Sequence, residues 1–251
     1  MKKITSIALA LLATSLFLFW YIVKKESNVD ENTLIVGTNA EYPPFTFIEK
    51  GEIVGFDISI VNEVIKRLGK KMILKDMAYD MLIPEIQLGK IHLIAAGMTA
   101  SEKRAKQVFF TKPYYKDDPL VAITLKKNPI SSVDDLTGKE VIVNEGYTAD
   151  VYMSSLKGPI IKRLPAPAES LLDLQTEKSF AYVCAYAAIK PSLNKLGKDQ
   201  FNILILPGPK ESYSLAVAKQ YPQLFEQIQK VLDAMEKDGA IDAIKKEWGL
   251  E

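Results

Sequence analysis

From Thr33 onward, short apolar runs alternate with segments whose apolar residues recur every three or four positions. The runs predict buried strands and the periodic segments predict amphipathic helices. Leu34-Ile35-Val36 reads as a strand that Gly37-Thr38-Asn39 breaks. Asp57 then stands as an N-cap before Ile58, Val61, Ile65 and Leu68 at helical spacing, and Gly69 closes that helix. The pattern repeats: a strand from Met72 to Leu74, a cap at Asp80, a helix to Leu88 and Gly89, a strand from Ile91 to Ala95, and a helix through Lys106. Consecutive βα units predict an α/β architecture with largely parallel sheets.

A second block opens with the strand Leu120 to Leu125, passes the turn segment Val133 to Gly138, and offers strands at Glu140 to Val143, Ala181 to Cys184 and Ile203 to Leu206. Pro207-Gly208-Pro209 breaks the last of these. Tyr213 to Ala218 reads as a further strand, and amphipathic helices follow over Pro222 to Lys237 and Ala240 to Trp248. Two βα blocks of roughly 100 residues each predict two lobes, an arrangement that commonly binds ligand in the cleft between them.

The amino-terminal segment is patterned differently. Lys2 and Lys3 precede an uncharged apolar stretch from Ile4 to Val23, and Lys24 and Lys25 follow it. This is an export or anchoring segment. Its length approaches the roughly 20 residues that span hydrocarbon, and it ends in the interfacial aromatics Phe19-Trp20-Tyr21, which favours an uncleaved anchor. Cleavage after Ala8-Leu9-Ala10 or Ala13-Thr14-Ser15 is the alternative. Either way, residues beyond Lys25 are expected outside the inner membrane, in the periplasmic or extracytoplasmic space. Residues 26–32 then form a polar linker.

Composition narrows the chemistry. Across 251 residues, 32 Lys and Arg face 31 Asp and Glu, a formal net charge of +1 that gives no bulk attraction to nucleic acid. The four lysines of the first segment come with no acid, so the remainder is mildly acidic. One cysteine, Cys184, and one histidine, His92, exclude an intrachain disulfide and Cys- or His-rich metal sites. No cofactor or metal is expected. His92 reads as a structural histidine and Cys184 as a small buried hydrophobe.

Two loops carry candidate chemistry. Gly37-Thr38-Asn39-Ala40-Glu41-Tyr42-Pro43-Pro44-Phe45 lies beyond a strand's carboxyl end, where ligands of open α/β sheets sit. Its prolines could preset Tyr42 as a flat face, and Asn39 offers a donor and an acceptor. Ala96 to Arg104 follows the next strand, with Thr99 and Glu102 in a capping-box pattern. A helix start with Arg104 on its first turn suits a carboxylate, through free N–H groups and a planar guanidinium.

Several ordered strings, GTNAEYPPF, VGFDISIVNEV, YDMLIPEIQLGKIHLIAAGMTASEKRAKQVFFTKPYY, DDLTGKEVIVNEGYTADVY and EKDGAIDAIKKEWG, together resemble the amino-acid solute-binding proteins of ABC importers over nearly all of Thr33 to Leu250. The resemblance implies the periplasmic-binding-protein fold, two lobes with parallel-rich sheets joined by two crossing strands around one ligand cleft. Lobe one would comprise residues 33–118 and 212–251, and lobe two residues 119–211, with hinges near Asp117 to Leu120 and Pro209 to Tyr213. The resemblance further implies that Arg104 holds the ligand's α-carboxylate with the Thr99 backbone and with Thr148 from the other lobe. Gly97, Met98 and Thr99 would line the α-ammonium side, Tyr42 and Tyr79 would flank the side chain, and Asn39 and Asn144 would add polar contacts. The implied function is a monomeric, non-enzymatic binding protein that takes a polar or basic amino acid, arginine among the candidates, to an inner-membrane ABC permease.

One position departs from the family pattern. An Asp or Glu normally ends the strand before the second lobe's late helix and pairs with the ammonium, and this chain has Ala185 there. Losing such a charge-assisted hydrogen bond removes about 1.5 to 3 kcal/mol. Either Glu145 or another acid compensates, or the ligand is not an ordinary α-amino acid. Two other functions share the architecture: a dehydratase acting on a small carboxylate, for which Glu145 and Glu41 are the candidate bases, and a ligand sensor that signals through a separate partner.

Overall fold

A computed structural model describes residues 32–250. The expectations for the export or anchoring segment, and all but the end of the linker, lie outside these residues. Among the described residues, no helix is long and apolar enough to cross a membrane.

The chain opens with β1 (Thr33–Thr38), buried along its whole length, and then a three-stranded antiparallel flap of β2 (Glu41–Tyr42), β3 (Thr46–Glu49) and β4 (Glu52–Val54). Helix α1 (Phe56–Arg67) buries Ile58, Ile60, Val61, Val64 and Ile65, the stripe its sequence period predicts. Its N-cap is Gly55, at φ 134°, rather than Asp57. A Cβ at Gly55 would come within 2.2 Å of the Phe45 carbonyl oxygen, so the chain can turn there only without a side chain. Asp57 instead lies one residue inside the helix with its carboxylate buried, accepting a hydrogen bond from the Gly97 N–H. Gly69, at φ 65°, ends the helix with Lys70 N–H bonded to Ile65 carbonyl and Gly69 N–H to Lys66 carbonyl.

Next come β5 (Lys71–Asp76), a 3-10 turn over Tyr79–Met81 capped by Ala78 rather than Asp80, α2 (Leu82–Gln87) and β6 (Leu93–Ile94). Helix α3 (Glu102–Ala105) has four residues, and its N-cap is Ser101, whose Oγ accepts from Arg104 N–H at 3.2 Å. The expected capping box at Thr99 is not formed, because the Thr99 hydroxyl is turned the other way, toward Glu211. After β7 (Val108–Phe110) the long β8 (Tyr115–Leu125) begins the second sheet, followed by a 3-10 turn at Val133–Leu136 with a Ser132/Asp135 capping box. The chain continues through β9 (Glu140–Asn144), α4 (Thr148–Ser155), β10 (Ile160–Leu164), α5 (Pro167–Gln175), β11 (Ala181–Ala185), α6 (Tyr186–Leu196), β12 (Phe201–Tyr213), β13 (Ala216–Ala218), α7 (Pro222–Lys237) and α8 (Ala240–Glu247).

The first sheet has the order β5-β1-β6-β13-β7 and the second β10-β9-β11-β8-β12. Parallel pairs lie at the heart of each: β1 with β6, and β9 with both β10 and β11. The antiparallel members β8, β12 and β13 are those nearest the crossings between sheets. The chain leaves the first sheet between β7 and β8 and returns between β12 and β13. Strands β8 and β12 pair from Phe201 with Leu125 to Tyr213 with Tyr115, and the expected lobe boundaries at 118 and 211 fall within them. Pro207-Gly208-Pro209 does not end a strand, as its composition predicted. It lies in a register shift between Ile205 and Lys210, because the extra residues are absorbed as an irregularity in a paired strand. The interruption comes instead at Ser214 and Leu215, whose N–H groups bond the Met98 carbonyl and the Thr111 hydroxyl.

The second sheet's core packs Val121, Ile123 and Ile142 with Leu174, Tyr182 and Leu193. Each such aliphatic side chain contributes about 1.5 to 3 kcal/mol on burial. His92 Nδ1 accepts from Ile35 N–H at 3.0 Å, a structural role, and Cys184 is a buried free thiol.

Candidate ligand-binding site

Four segments and one crossing strand meet between the two sheets. The loop after β1 supplies Asn39 and Tyr42, the 3-10 turn supplies Tyr79, the loop after β6 supplies Gly97 to Arg104, and the start of α4 supplies Tyr147 and Thr148. Strand β12 supplies Glu211. All lie beyond carboxyl ends of parallel strands or on the crossing strands, the expected place for a ligand in such sheets.

Arg104 is held from both sides. Its Nη1 donates to the Thr99 carbonyl at 2.6 Å and its Nη2 to the Gly146 carbonyl at 2.8 Å, so one guanidinium ties the first sheet's loop to the second sheet's. The group also lies 5.5 Å from the centroid of the Tyr79 ring. Thr99 forms an isolated bridge with Tyr213, accepts from Ser212 N–H at 2.9 Å, and turns its hydroxyl hydrogen toward Glu211. Thr148 donates its hydroxyl to the same Glu211 oxygen, Oε2, at 2.9 Å. Burial raises the Glu211 carboxyl above the usual carboxylate range, against the lowering effect of these hydroxyls and Arg104.

Gly97 has φ 57°, and a Cβ there would lie 2.8 Å from Tyr42 Cε1. Only glycine lets the loop pass the tyrosine. Met98 is buried, and its carbonyl accepts from Ser214 N–H. Tyr42 is buried and shares a 2.9 Å hydrogen bond with the Tyr213 hydroxyl. Tyr79 is buried too, which pushes its phenol up to about 12.

Both expected amides are occupied. Asn39 Nδ2 donates to the Met77 carbonyl at 3.2 Å, and its Oδ1 accepts from Tyr147 Oη at 2.9 Å. Asn144 donates to the Leu164 carbonyl and the Ser170 hydroxyl and accepts from Tyr182 at 2.6 Å, and it also lines the cavity described below. Glu41 and Glu145, the acids considered as bases or as substitutes for the absent carboxylate, are both exposed.

The sequence pattern singled out neither Tyr147 nor Glu211. Tyr147 is buried, its ring centroid 4.2 Å from that of Tyr79 and 5.4 Å from that of Tyr42. The only signal for it was a tyrosine between Gly146 and Thr148 in a loop assigned to the ligand. Glu211 had no such signal, because its partners are 112 and 63 residues away.

Tyr42, Tyr147, Ala185 and Glu211 are among the residues around a cavity of about 10 Å³, barely room for one water. An amino acid does not fit this closed arrangement.

The model for bacterial extracellular solute-binding proteins, family 3, matches residues 34–251. A Chlamydia trachomatis serovar D protein named "Probable ABC transporter arginine-binding protein ArtJ" is 28% identical over 237 residues, covering 91% of this chain and 90% of that protein. Two solved structures of an ancestral arginine-binding protein are similar as well. The form bound to glutamine has a TM-score of 0.82 and 35% identity and covers 88% of this chain and 100% of that one. The form bound to arginine has the same TM-score and identity and covers 87% and 98%.

Proposed function

This chain belongs to the bacterial extracellular solute-binding proteins of family 3, and on that premise we propose that it captures an amino acid outside the cytoplasm and presents it to an ABC importer. The observation that carries the reading is Arg104, a guanidinium braced by the Thr99 and Gly146 carbonyls of both cleft walls. Its fork matches a carboxylate with two hydrogen bonds. In this reading Arg104, the Thr99 backbone and Thr148 from the opposite wall hold the α-carboxylate, Tyr42 and Tyr79 flank the side chain, and Gly97 and Met98 shape the wall on the ammonium side. Arginine and glutamine lead the candidates, because the ancestral arginine-binding protein is bound to each of them.

Binding couples to closure. A ligand that touches Arg104 on one wall and Thr148 on the other contacts both only when the cleft is shut, so its binding energy favours the closed form, and the β8 and β12 crossings act as the hinge. The closed form is then the one that engages the permease, and the first 25 residues export or tether the protein. No covalent step is needed.

Thermal denaturation against the common amino acids at millimolar concentration tests the reading. A ligand at a thousand times its Kd adds about 4 kcal/mol, a shift of several degrees for a protein of this size. At least one α-amino acid should give that shift, and Arg104→Ala should abolish it. The absence of a shift with every amino acid would overturn the assignment.

A further inference from the structure

Position 185 has no carboxylate, yet the cavity wall there is not without charge. Ala185 is the N-cap of α6 and offers no side-chain cap. Asp118, from the neighbouring strand β8, serves that helix instead, with Oδ1 and Oδ2 accepting from Ala187 N–H at 3.0 and 3.2 Å. Asp118 is thereby committed to the helix terminus. Asp150 is committed to Arg163 and to the Gly146 N–H, Asp57 accepts from the Gly97 N–H and is not among the residues lining this cavity, and Glu41 and Glu145 are exposed.

Glu211 is different. It is 4% exposed, lines the same cavity as Ala185 and forms no ion pair among the described residues. Both of its hydrogen bonds, from Thr99 and Thr148, end on Oε2. Oε1 receives none, and Glu211 is one of the residues that line the cavity. A carboxylate this buried with one oxygen unused is costly unless a cation meets it. The Thr99 hydroxyl aims it, and Thr99 is also the residue whose carbonyl braces Arg104. A cation and an anion thus each bond a different group of one residue, Thr99.

We infer that Glu211, supplied by the crossing strand β12, is the ligand's ammonium-binding carboxylate and takes the place of the acid absent at Ala185. The assignment rests on the amino-acid reading above. It also explains why that reading survives the loss at 185: the charge has moved across the cavity from the end of β11 to β12. Because Glu211 lies where the chain crosses between the sheets, its contact with the ligand's ammonium would pull directly on the hinge.

The test is titration calorimetry of the full chain with the amino acid that gives the largest thermal shift and with its des-amino analogue, which keeps the carboxylate and side chain. The unaltered protein should prefer the amino acid at least about tenfold, the loss expected for one charge-assisted hydrogen bond. Glu211→Gln keeps an oxygen for Thr99 and Thr148. It should weaken the amino acid at least about tenfold and leave the analogue unchanged, erasing the preference. Glu211→Gln combined with Ala185→Asp should restore the preference from the opposite wall, which a merely structural role for Glu211 would not allow. Undiminished preference in Glu211→Gln overturns the inference. So does tighter binding of both ligands, which would mean that Glu211 competes with the ligand's own carboxylate. Failure of the unaltered protein to bind any amino acid overturns the functional reading itself, and this inference with it.

Discussion

Asp57 supports the candidate site from below, and its titration should appear in the protein's stability. Its carboxylate is fully buried in α1, accepts from the N–H of Gly97 and lies beside the Tyr114 hydroxyl. Burial pushes its pKa from 3.8 to about 7, with the Gly97 bond pulling the other way. The folded protein therefore holds this proton more tightly than the unfolded chain does. The resulting stabilisation is complete below pH 3.8 and is lost as pH rises through about 7. A shift of about three pH units corresponds to about 4 kcal/mol. Asp118 is also raised to about 7 by burial and adds to the same slope, so the informative quantity is a difference between proteins. Asp57→Asn keeps an acceptor for Gly97 and carries no charge at any pH. Urea unfolding of both proteins from pH 4 to pH 8 should show the unaltered chain losing about 4 kcal/mol relative to the variant. Parallel stability profiles would refute the reasoning, since Asp57 would then not be the group whose protonation folding favours.

Three further outcomes follow from the same geometry. Gly97→Ala places a Cβ 2.8 Å from Tyr42 at φ 57°, so it should cost about 1 to 2 kcal/mol in urea unfolding and displace Tyr42 enough to weaken ligand binding in calorimetry. Cys184 is buried and its thiol is pushed up by burial, so a thiol reagent should leave the folded protein unlabelled and modify it fully in denaturant. Tyr147→Phe removes the donor to Asn39. Small-angle X-ray scattering of the ligand-free variant should show a larger radius of gyration, in keeping with about 1 kcal/mol lost from the closed form.

The strands buried on both faces were legible in the sequence. β1, β9 and β11 are covered on each side, so they read as unbroken apolar runs. The flap β2–β4 was not, because its residues are mostly half-buried or exposed and show no clean alternation. β10, with Lys162 and Arg163 near its centre, hid for a similar reason. Local capping logic failed at Asp57 and Thr99 because each side chain answers to a partner far along the chain, Gly97 and Glu211 respectively. The composition of Pro207-Gly208-Pro209 concealed a strand that continues through an irregularity. In the site, of the residues named from recognisable strings, the structure brings Thr99 and Tyr79 to Arg104. Asn144 lines the cavity while also bonding within the second sheet, and Glu211 and Tyr147 emerged only from tertiary proximity.

The central claim is that this cleft takes an α-amino acid by its carboxylate at Arg104. Its most direct test is a calorimetric titration of the full chain with the preferred amino acid and with its decarboxylated amine counterpart. The account predicts measurable binding of the amino acid and at least about a hundredfold weaker binding of the amine, since the guanidinium would face no anion. Equal or tighter binding of the amine would contradict it, and would make Glu211 rather than Arg104 the group the ligand seeks.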